Sequence, residues 1–265
     1  MTYNIAVAGK GGVGKTSLTG LLIDTLVKQK KDPILVVDAD ANCNLYEVLG
    51  SEEPETIGHI REVANMTEKN GDSFPGGMTK AQFLQWQLSM ILEEGDGYDM
   101  LVMGRSEGEG CYCFVNGILK QQVQKISDHY KYVITDNEAG MEHISRKLTK
   151  HVDTLILVSD CAKRSIQAVA RIRDLAKEMN LSVGKIGLIV NKAPNGELSN
   201  GVKEEIEKYG LDLFGVVPSD ELIYEYDSEG IPLVKLPADS KSRVALEKII
   251  ETLDLPQYCY RHIIN

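Results

Sequence analysis

The sequence predicts a single α/β domain with a mostly parallel sheet and flanking helices. Short apolar runs recur along the 265 residues, and an amphipathic helical pattern follows each run. Several of the runs are unbroken and rich in Val and Ile, which is typical of strands that are covered on both faces, as in a parallel sheet. Strands that alternate with helices therefore indicate one domain of the α/β class.

Seven apolar runs are the predicted strands. In chain order they are Ile5–Ala8, Ile34–Val37, Leu101–Met103, Tyr132–Ile134, Leu155–Val158, Ile186–Val190 and Leu213–Val217. One predicted helix places its leucines on a single face, has a basic last turn and is followed by a proline. These residues are Leu18, Leu21, Leu22 and Leu26, then Lys28, Lys30 and Lys31, then Pro33. A second predicted helix carries Ile166, Val169, Ala170, Ile172, Leu175 and Met179.

Two stretches depart from this alternation, one over about residues 51–98 and one over about residues 105–115. The first holds a polar segment, a turn cluster from Gly71 to Gly77 and a predicted helix, whose apolar residues are Leu84, Leu88, Ile91 and Leu92. The second is glycine-rich and acidic. Folds of this class carry ligand sites and partner surfaces on loops at strand ends. We therefore predict that both stretches are insertions in one domain that spans residues 1–265.

Composition limits the partners and the compartment. Hydrophobic residues make up 43% of the chain, and the formal net charge is −10. This charge repels nucleic acid and anionic membranes at long range, so we predict that the protein binds neither. No apolar run is long enough to span a bilayer, and Thr2 and Tyr3 lead into the first strand without a secretion signal, which predicts a cytoplasmic protein. The 5 cysteines are then expected to be thiols, buried fillers or metal ligands.

The clearest motif is a complete P-loop between the first strand and the first helix. It reads Gly9-Lys10-Gly11-Gly12-Val13-Gly14-Lys15-Thr16, and Ser17 opens the helix. The glycines let successive backbone N–H groups point at phosphate oxygens, and the helix N-terminus adds partial positive charge. Lys15 is predicted to reach the β- and γ-phosphates and the Thr16 hydroxyl to bind Mg²⁺. The motif thus predicts that Gly9 to Ser17 bind ATP or ADP.

Lys10 is an additional cation early in this loop. On its own it is equally consistent with a solvated surface lysine and with a lysine that reaches a neighbour's phosphates. The segment from Lys10 to Thr16 resembles the deviant Walker A loop, with its signature lysine, of the superfamily that contains the nitrogenase iron protein, the Min cell-division ATPases and the arsenite-pump ATPases. The resemblance implies a homodimer that encloses two nucleotides and a catalytic role for Lys10 in trans.

Two acidic strand ends complete the predicted nucleotide site. Asp38 and Asp40 follow the second strand, and Asp136 follows the fourth, in the arrangement of a Walker B carboxylate. Carboxylates next to a P-loop can bind the waters of Mg²⁺ and orient the attacking water, although a polar turn is the alternative for Asp38 and Asp40. The resemblance implies that Asp40 positions the water, so Asp40 joins Lys10 and Lys15 as a predicted catalytic residue.

Two further nucleotide contacts rest on the resemblance alone. Asn191 ends the sixth predicted strand, and Pro218 follows the seventh. In the superfamily an Asn at the first position recognises the adenine edge and a Pro at the second lies on the base. We therefore expect Asn191 and Pro218 to bind the adenine of ATP or ADP.

The sequence Cys111-Tyr112-Cys113 follows a glycine-rich turn. Thiolates suit soft ions such as Ni²⁺ or Zn²⁺, and two ligands from each of two chains would complete a four-ligand site. A single pair of cysteines this close together is a weak signal, and two buried filler side chains are the alternative. Cys111 and Cys113 are nevertheless the predicted metal ligands, shared across the homodimer.

Together the motifs closely resemble the CooC-type accessory ATPases. The resemblance runs from Asn4 to about Leu253 and includes the cysteine pair, the Asp38–Asn42 segment and the segment that begins at Asp136. It implies ATP-dependent nickel insertion into carbon monoxide dehydrogenase or acetyl-CoA synthase as a homodimer. An electron-donating iron–sulfur ATPase like the nitrogenase iron protein is one alternative, and a Min-type positioning switch is another.

Overall fold

Eight strands form one sheet in the computed structural model, which describes residues 2–104, 121–138 and 151–256. The strands are β1 (Tyr3–Gly9), β2 (Ile34–Ala39), β3 (Glu93–Glu94), β4 (Tyr98–Val102), β5 (Tyr132–Asn137), β6 (His151–Ser159), β7 (Ser182–Ala193) and β8 (Leu213–Pro218). Their order in the sheet is β3-β4-β2-β5-β1-β6-β7-β8, and every neighbouring pair is parallel except β3 with β4. The predicted α/β fold with a mostly parallel sheet is confirmed.

Helices cover both faces of this sheet. They are α1 (Lys15–Lys28), α2 (Leu45–Leu49), α3 (Ile57–Asn70), α4 (Lys80–Met90), α5 (Lys163–Glu178), α6 (Asn200–Lys208), α7 (Glu221–Ser228) and α8 (Lys241–Thr252), and residues 121–127 are also helical. Three single turns of 3-10 helix lie at Pro75–Gly77, Pro194–Gly196 and Leu233–Lys235. Within the described ranges, no helix is both long and apolar enough to cross a membrane.

The core lies on both sides of the central strands because neighbouring strand residues point to opposite faces. Ile5 and Val7 of β1 pack with α1 and α8, whereas Ala6 and Ala8 pack with α5 and α6. A third cluster joins β2, β4 and β5 to α3 and α4. Full burial of one such side chain stabilises the fold by about 1.5–3 kcal/mol. The sheet is therefore covered on both faces, and the carboxyl ends of its parallel strands share one edge.

Residues 51–98 contain more regular structure than the polar composition indicates. Helix α3 was not predicted; it begins after Thr56, whose side chain accepts a hydrogen bond from the His59 N–H, and it buries only one side. Helix α4 begins at a capping box formed by Thr79 and Gln82 and ends at Met90, so its predicted last residues lie beyond its end. The two-residue strand β3 adds an antiparallel edge.

Candidate active site

The phosphate loop connects β1 to α1 and depends on glycine at specific positions. A side chain at Gly9 would overlap the backbone carbonyl of Val158 on β6. Gly12 and Gly14 have φ angles of 80° and 87°, which is the left-handed region that favours glycine. Helix α1 begins directly after Gly14, so its N-terminus and the preceding backbone N–H groups can face an anion. The sequence-predicted loop is thus present with its strand and helix in place.

The two lysines of the loop differ in exposure. Lys15 is only 7% exposed, and its Nζ donates to the backbone carbonyl oxygen of Lys10 at 3.4 Å. Lys10 itself lies on the surface. An ammonium group that is buried and held by one long hydrogen bond is available to the phosphates of a nucleotide. The exposed Lys10 side chain is free to extend away from its own loop.

Asp38 and Asp136 are paired across β2 and β5, and each is 1% exposed. The Asp38 carboxylate accepts hydrogen bonds from the Asp40 N–H at 3.0 Å and the Leu45 N–H at 3.2 Å. One oxygen of Asp136 accepts from the Thr19 hydroxyl at 3.2 Å, whereas its buried Oδ2 has no hydrogen-bond partner. The Asp136 carboxylate is therefore held in place with one oxygen still unsatisfied.

Burial dominates the electrostatics of these two carboxylates. It raises the pKa of Asp38 to about 6, although the backbone N–H groups of Asp40 and Leu45 oppose the shift. It raises the pKa of Asp136 to about 7, with a smaller contribution from the nearby Asp38 charge. The hydroxyls of Thr16 and Thr19 and the Lys15 ammonium lower the pKa of Asp136. Both aspartates thus lack a sufficient counter-charge among the described residues.

This lack of counter-charge fits a divalent cation. A buried carboxylate with an unpartnered oxygen is costly unless a cation or a proton compensates it. Asp136 Oδ2 is such an oxygen, and the Thr16 hydroxyl lies close enough to affect the pKa of the same carboxylate. Hydroxyl, carboxylate and water oxygens are the ligands that Mg²⁺ prefers. Thr16, Asp38 and Asp136 would hold Mg²⁺ here, directly or through water.

Asp40 lies in the turn that follows β2. Its Oδ1 accepts hydrogen bonds from the N–H and the side-chain amide of Asn42 at 2.9 Å and 3.1 Å. The turn also contains Cys43, which has a left-handed φ of 52°. The carboxylate thus stabilises its own turn, as the alternative interpretation holds, while it remains partly exposed. Its role in positioning water stays a prediction.

The predicted adenine contacts lie at the ends of neighbouring strands. Asn191 is 4% exposed at the end of β7, and its Nδ2 donates to the Val13 carbonyl oxygen at 2.9 Å. Pro218 ends β8 opposite Ala193. One N–H of the Asn191 amide is bound to the phosphate loop, which leaves the second N–H to donate and Oδ1 to accept in a contact with a base. Contact with adenine remains a prediction for both residues.

Three residues of the site were missed by sequence reasoning. Thr19 lies one helical turn after Lys15, so helix spacing could have revealed that it faces the same carboxylate. Asn137 is 1% exposed and donates to the Val7 carbonyl oxygen at 2.9 Å, and Lys192 donates to the Gly12 carbonyl oxygen at 2.9 Å. No local pattern identifies the last two, because their partners are 130 and 180 residues away.

The predicted metal ligands Cys111 and Cys113 lie outside the described residues, as does most of the loop after Asp136. The structure therefore does not test the shared nickel or zinc site. Across residues 2–104, 121–138 and 151–256, no three His, Cys, Asp or Glu side chains are grouped as metal ligands. Cys43 and Cys161 are half-buried thiols, and Cys43 Sγ donates to the Asp40 carbonyl oxygen at 3.4 Å.

A family model described as the CobQ/CobB/MinD/ParA nucleotide binding domain matches residues 5–233, which include the phosphate loop and both buried aspartates. The chain belongs to this family. As a member of the CobQ/CobB/MinD/ParA family it is a P-loop ATPase, which confirms the enzyme class predicted from the motifs. The predicted relationship to the Min ATPases is also confirmed at the level of the family.

Individual relatives extend over most of the chain. An uncharacterized ATP-binding protein of Methanocaldococcus jannaschii is 43% identical over 250 residues, which cover 94% of this chain and 97% of that protein. The carbon monoxide dehydrogenase accessory protein CooC of Rhodospirillum rubrum is 29% identical over 238 residues, covering 86% and 88% of the two chains. The structure of septum site-determining protein MinD of Pyrococcus horikoshii, complexed with Mg-ADP, covers 96% of each chain with a TM-score of 0.69 at 22% identity.

Proposed function

We propose that the protein is an ATP-hydrolysing metallochaperone that inserts nickel into carbon monoxide dehydrogenase or acetyl-CoA synthase. The observation that carries the proposal is the 29% identity to the accessory protein CooC over most of both chains. The cysteine pair Cys111 and Cys113 supports the metal-handling half, because two thiolates per chain suit a soft ion. The proposal includes a homodimer, since a closed thiolate site needs four ligands.

In this proposal the phosphate loop and Lys15 bind the nucleotide. The loop N–H groups and the N-terminus of α1 contact the phosphates, and the Lys15 ammonium leaves the Lys10 carbonyl to bind the β- and γ-phosphates. When bound, Mg²⁺ neutralises the developing phosphate charge. Asp136 and Asp38 favour the cation because they are buried and because Lys15, the nearby positive charge among the described residues, does not offset the cost of that burial. Binding of Mg²⁺ would therefore compensate the negative charge of these two buried carboxylates.

Hydrolysis then depends on Asp40 and on Lys10 of the partner subunit. Asp40 orients the attacking water, and the exposed Lys10 contributes positive charge to the phosphates across the dimer. We further propose that the segment from Asp136 to Gly140, which starts at the buried Asp136, responds to loss of the γ-phosphate. A change in dimer geometry would loosen the nickel held by the four thiolates and allow its transfer to the client enzyme.

Metal content tests the proposal directly. We expect the wild-type dimer to bind about one nickel or zinc ion through four thiolates, and the double variant Cys111→Ser with Cys113→Ser to bind none while it keeps ATPase activity. A matched double variant, Cys161→Ser with Cys259→Ser, removes the same number of thiols elsewhere and should keep the metal. Undiminished metal in the first double variant would exclude the shared site.

Two alternatives predict different observations. An iron–sulfur electron donor would show cluster absorption after anaerobic reconstitution, whereas the proposed protein would not. A Min-type positioning switch, which the family leaves open, would sediment with anionic lipid vesicles only when ATP is present. A net charge of −10 opposes such membrane binding. Cluster absorption and vesicle sedimentation are both measured on the wild-type protein. Together with the metal content of the cysteine variants, these measurements separate the three functions.

A further inference from the structure

Two side chains at the end of β7 bind the carbonyl oxygens of the phosphate loop. Lys192 Nζ donates to the Gly12 carbonyl oxygen at 2.9 Å, and Asn191 Nδ2 donates to the Val13 carbonyl oxygen at 2.9 Å. The two residues are consecutive, and so are the two carbonyls. This contact joins the sheet to the loop from the side opposite its N–H groups.

The backbone at Lys192 adopts an unusual conformation at this point. Its φ is 56°, a left-handed value that a lysine seldom adopts, and the pairing of β7 with β8 is irregular between Val190 and Ala193. Residues in such conformations persist when the surrounding structure holds them there, and they often lie at functional sites. The conformation accompanies the contact of the Lys192 side chain with the loop.

The space between the loop and β7 is filled. A Cβ atom added at Gly14 would lie 2.5 Å from Asn191 Nδ2 and 3.6 Å from Lys192 Cε. The lysine side chain therefore passes directly beside the last glycine of the loop. Because Gly14 also has a φ of 87°, the loop and the end of β7 fit together only with glycine at this position.

The direction of these carbonyls determines the direction of the phosphate-binding N–H groups. In a trans peptide the C=O of one residue and the N–H of the next point in opposite directions. A donor on the Gly12 carbonyl thus fixes the N–H of Val13, and a donor on the Val13 carbonyl fixes the N–H of Gly14. If either peptide rotated, a carbonyl oxygen would face the phosphates and repel them.

We propose that Lys192 is a positioning residue that pre-organises the phosphate loop through the Gly12 carbonyl. Its ammonium keeps the loop N–H groups directed at the nucleotide without contacting the reacting atoms. Pre-organisation of this kind improves binding by removing the cost of ordering the loop. The role depends on nucleotide binding by the family and is independent of the proposed nickel transfer.

Variants at Lys192 distinguish the effect of the side-chain ammonium from the effect of the left-handed backbone conformation. Lys192→Met keeps a long side chain and the left-handed residue but removes the donor. Lys192→Gly also removes the donor but relieves the backbone conformation, so it should be the more heat-stable of the two. Lys192→Arg keeps a cationic donor. The control is Lys185→Met, because Lys185 is on the same strand and donates to the Leu253 carbonyl oxygen at 3.3 Å, away from the loop.

We expect Lys192→Met and Lys192→Gly to raise the KM for ATP by roughly tenfold with little change in kcat. The rise is expected because each variant loses one charge-assisted hydrogen bond to the loop. Lys192→Arg and Lys185→Met should stay near the wild-type KM. In the nucleotide-free protein, hydrogen exchange of a peptide that covers residues 9–17 should be faster in Lys192→Met. A merely structural role predicts instead that KM follows Tm across the variants.

Three results would overturn the proposal. One is an unchanged KM in both Lys192→Met and Lys192→Gly, and another is an equal rise in Lys185→Met. The third is a fall in kcat at constant KM, which would place Lys192 in contact with the transition state instead. A loss of nickel transfer with normal ATP kinetics would concern only the proposed chaperone function.

Discussion

Asp38 and Asp136 lie side by side in the interior, and among the described residues the nearby Lys15 charge does not offset the effect of burial on their pKa values, so both contribute to the response of the protein to pH. Burial raises the pKa of the two carboxyl groups to about 6 and about 7. In the unfolded chain both groups titrate near pH 4. Between these values the folded protein holds protons that the unfolded chain has released. The contribution of these two groups to the free energy of unfolding therefore falls as pH rises from about 4 to about 7.

The first prediction concerns this slope in the nucleotide-free, Mg²⁺-free protein. Asp136→Asn has no proton to lose, so its free energy of unfolding should decrease less between pH 5 and pH 8 than that of the wild type. Each unit of difference between the folded and unfolded pKa values changes the free energy of unfolding by about 1.4 kcal/mol. Urea unfolding at both pH values measures the difference. Identical slopes in the two proteins would show that Asp136 is ionised throughout.

A second prediction concerns Asp40. Asp40→Asn retains an oxygen that can accept from the Asn42 N–H, so the turn and ATP binding should survive. The amide is a poor group for orienting the attacking water, and hydrolysis should fall by at least roughly a hundredfold. Calorimetry gives the affinity for ATP, and phosphate release gives the rate. Asp96→Asn, in an exposed turn, is the control, and a wild-type rate in Asp40→Asn would remove the assigned role.

At the scale of elements, α1, which follows the phosphate loop, packs against α2, which follows the turn that holds Asp40. A side chain at Gly20 would overlap the β-branched Val48 of α2, which has little freedom to move. Gly20→Ala should therefore destabilise the fold by about 1–3 kcal/mol through overpacking, despite the better helix propensity of Ala. Thermal or urea unfolding measures the change.

The matched control is another glycine within a helix. A Cβ atom at Gly201 of α6 would meet only the flexible end of Lys163, at 2.8 Å from Cε. Gly201→Ala should be neutral or stabilising by up to about 1 kcal/mol. If Gly20→Ala were as stable as Gly201→Ala, the packing of α1 against α2 would not restrict the site.

The sequence predicted those helices and strands whose burial requires a regular pattern of apolar residues. All seven apolar runs lie within or overlap strands, because a strand covered on both faces must be apolar along its length. Strand β3 was missed because Glu93 and Glu94 at a sheet edge carry no such pattern. Helix α3 was missed because its buried residues are few and interspersed with polar ones.

The site was predicted in part for a similar reason. A contiguous motif revealed the phosphate loop, and acids at strand ends revealed Asp38 and Asp136. The contacts of Asn137 and Lys192 could not be predicted, because they depend on which strands become neighbours in the sheet. In the sheet, β5 lies between β1 and β2, although these two strands are consecutive in the sequence. Local sequence does not indicate which strands become neighbours.

At the scale of the whole molecule, the proposed homodimer depends on Lys10. The Lys15 ammonium contacts the Lys10 backbone and not its side chain, so Lys10→Ala should keep ATP binding. It should lose the ATP-dependent dimer and most of the ATPase rate. Light scattering with and without ATP measures the mass, and Lys203→Ala, another exposed lysine, is the control. A wild-type rate from dilute monomeric Lys10→Ala would contradict the role in trans.

The most direct test of the nickel-transfer proposal is activation of a nickel-free client. Purified carbon monoxide dehydrogenase or acetyl-CoA synthase lacking nickel is incubated with limiting nickel, ATP and the protein, and client activity is then measured. We predict activation by the wild type with ATP, and little with Asp40→Asn, with a non-hydrolysable ATP analogue or with the Cys111→Ser and Cys113→Ser variant. Equal activation of both clients with and without the protein and ATP would contradict the proposed function.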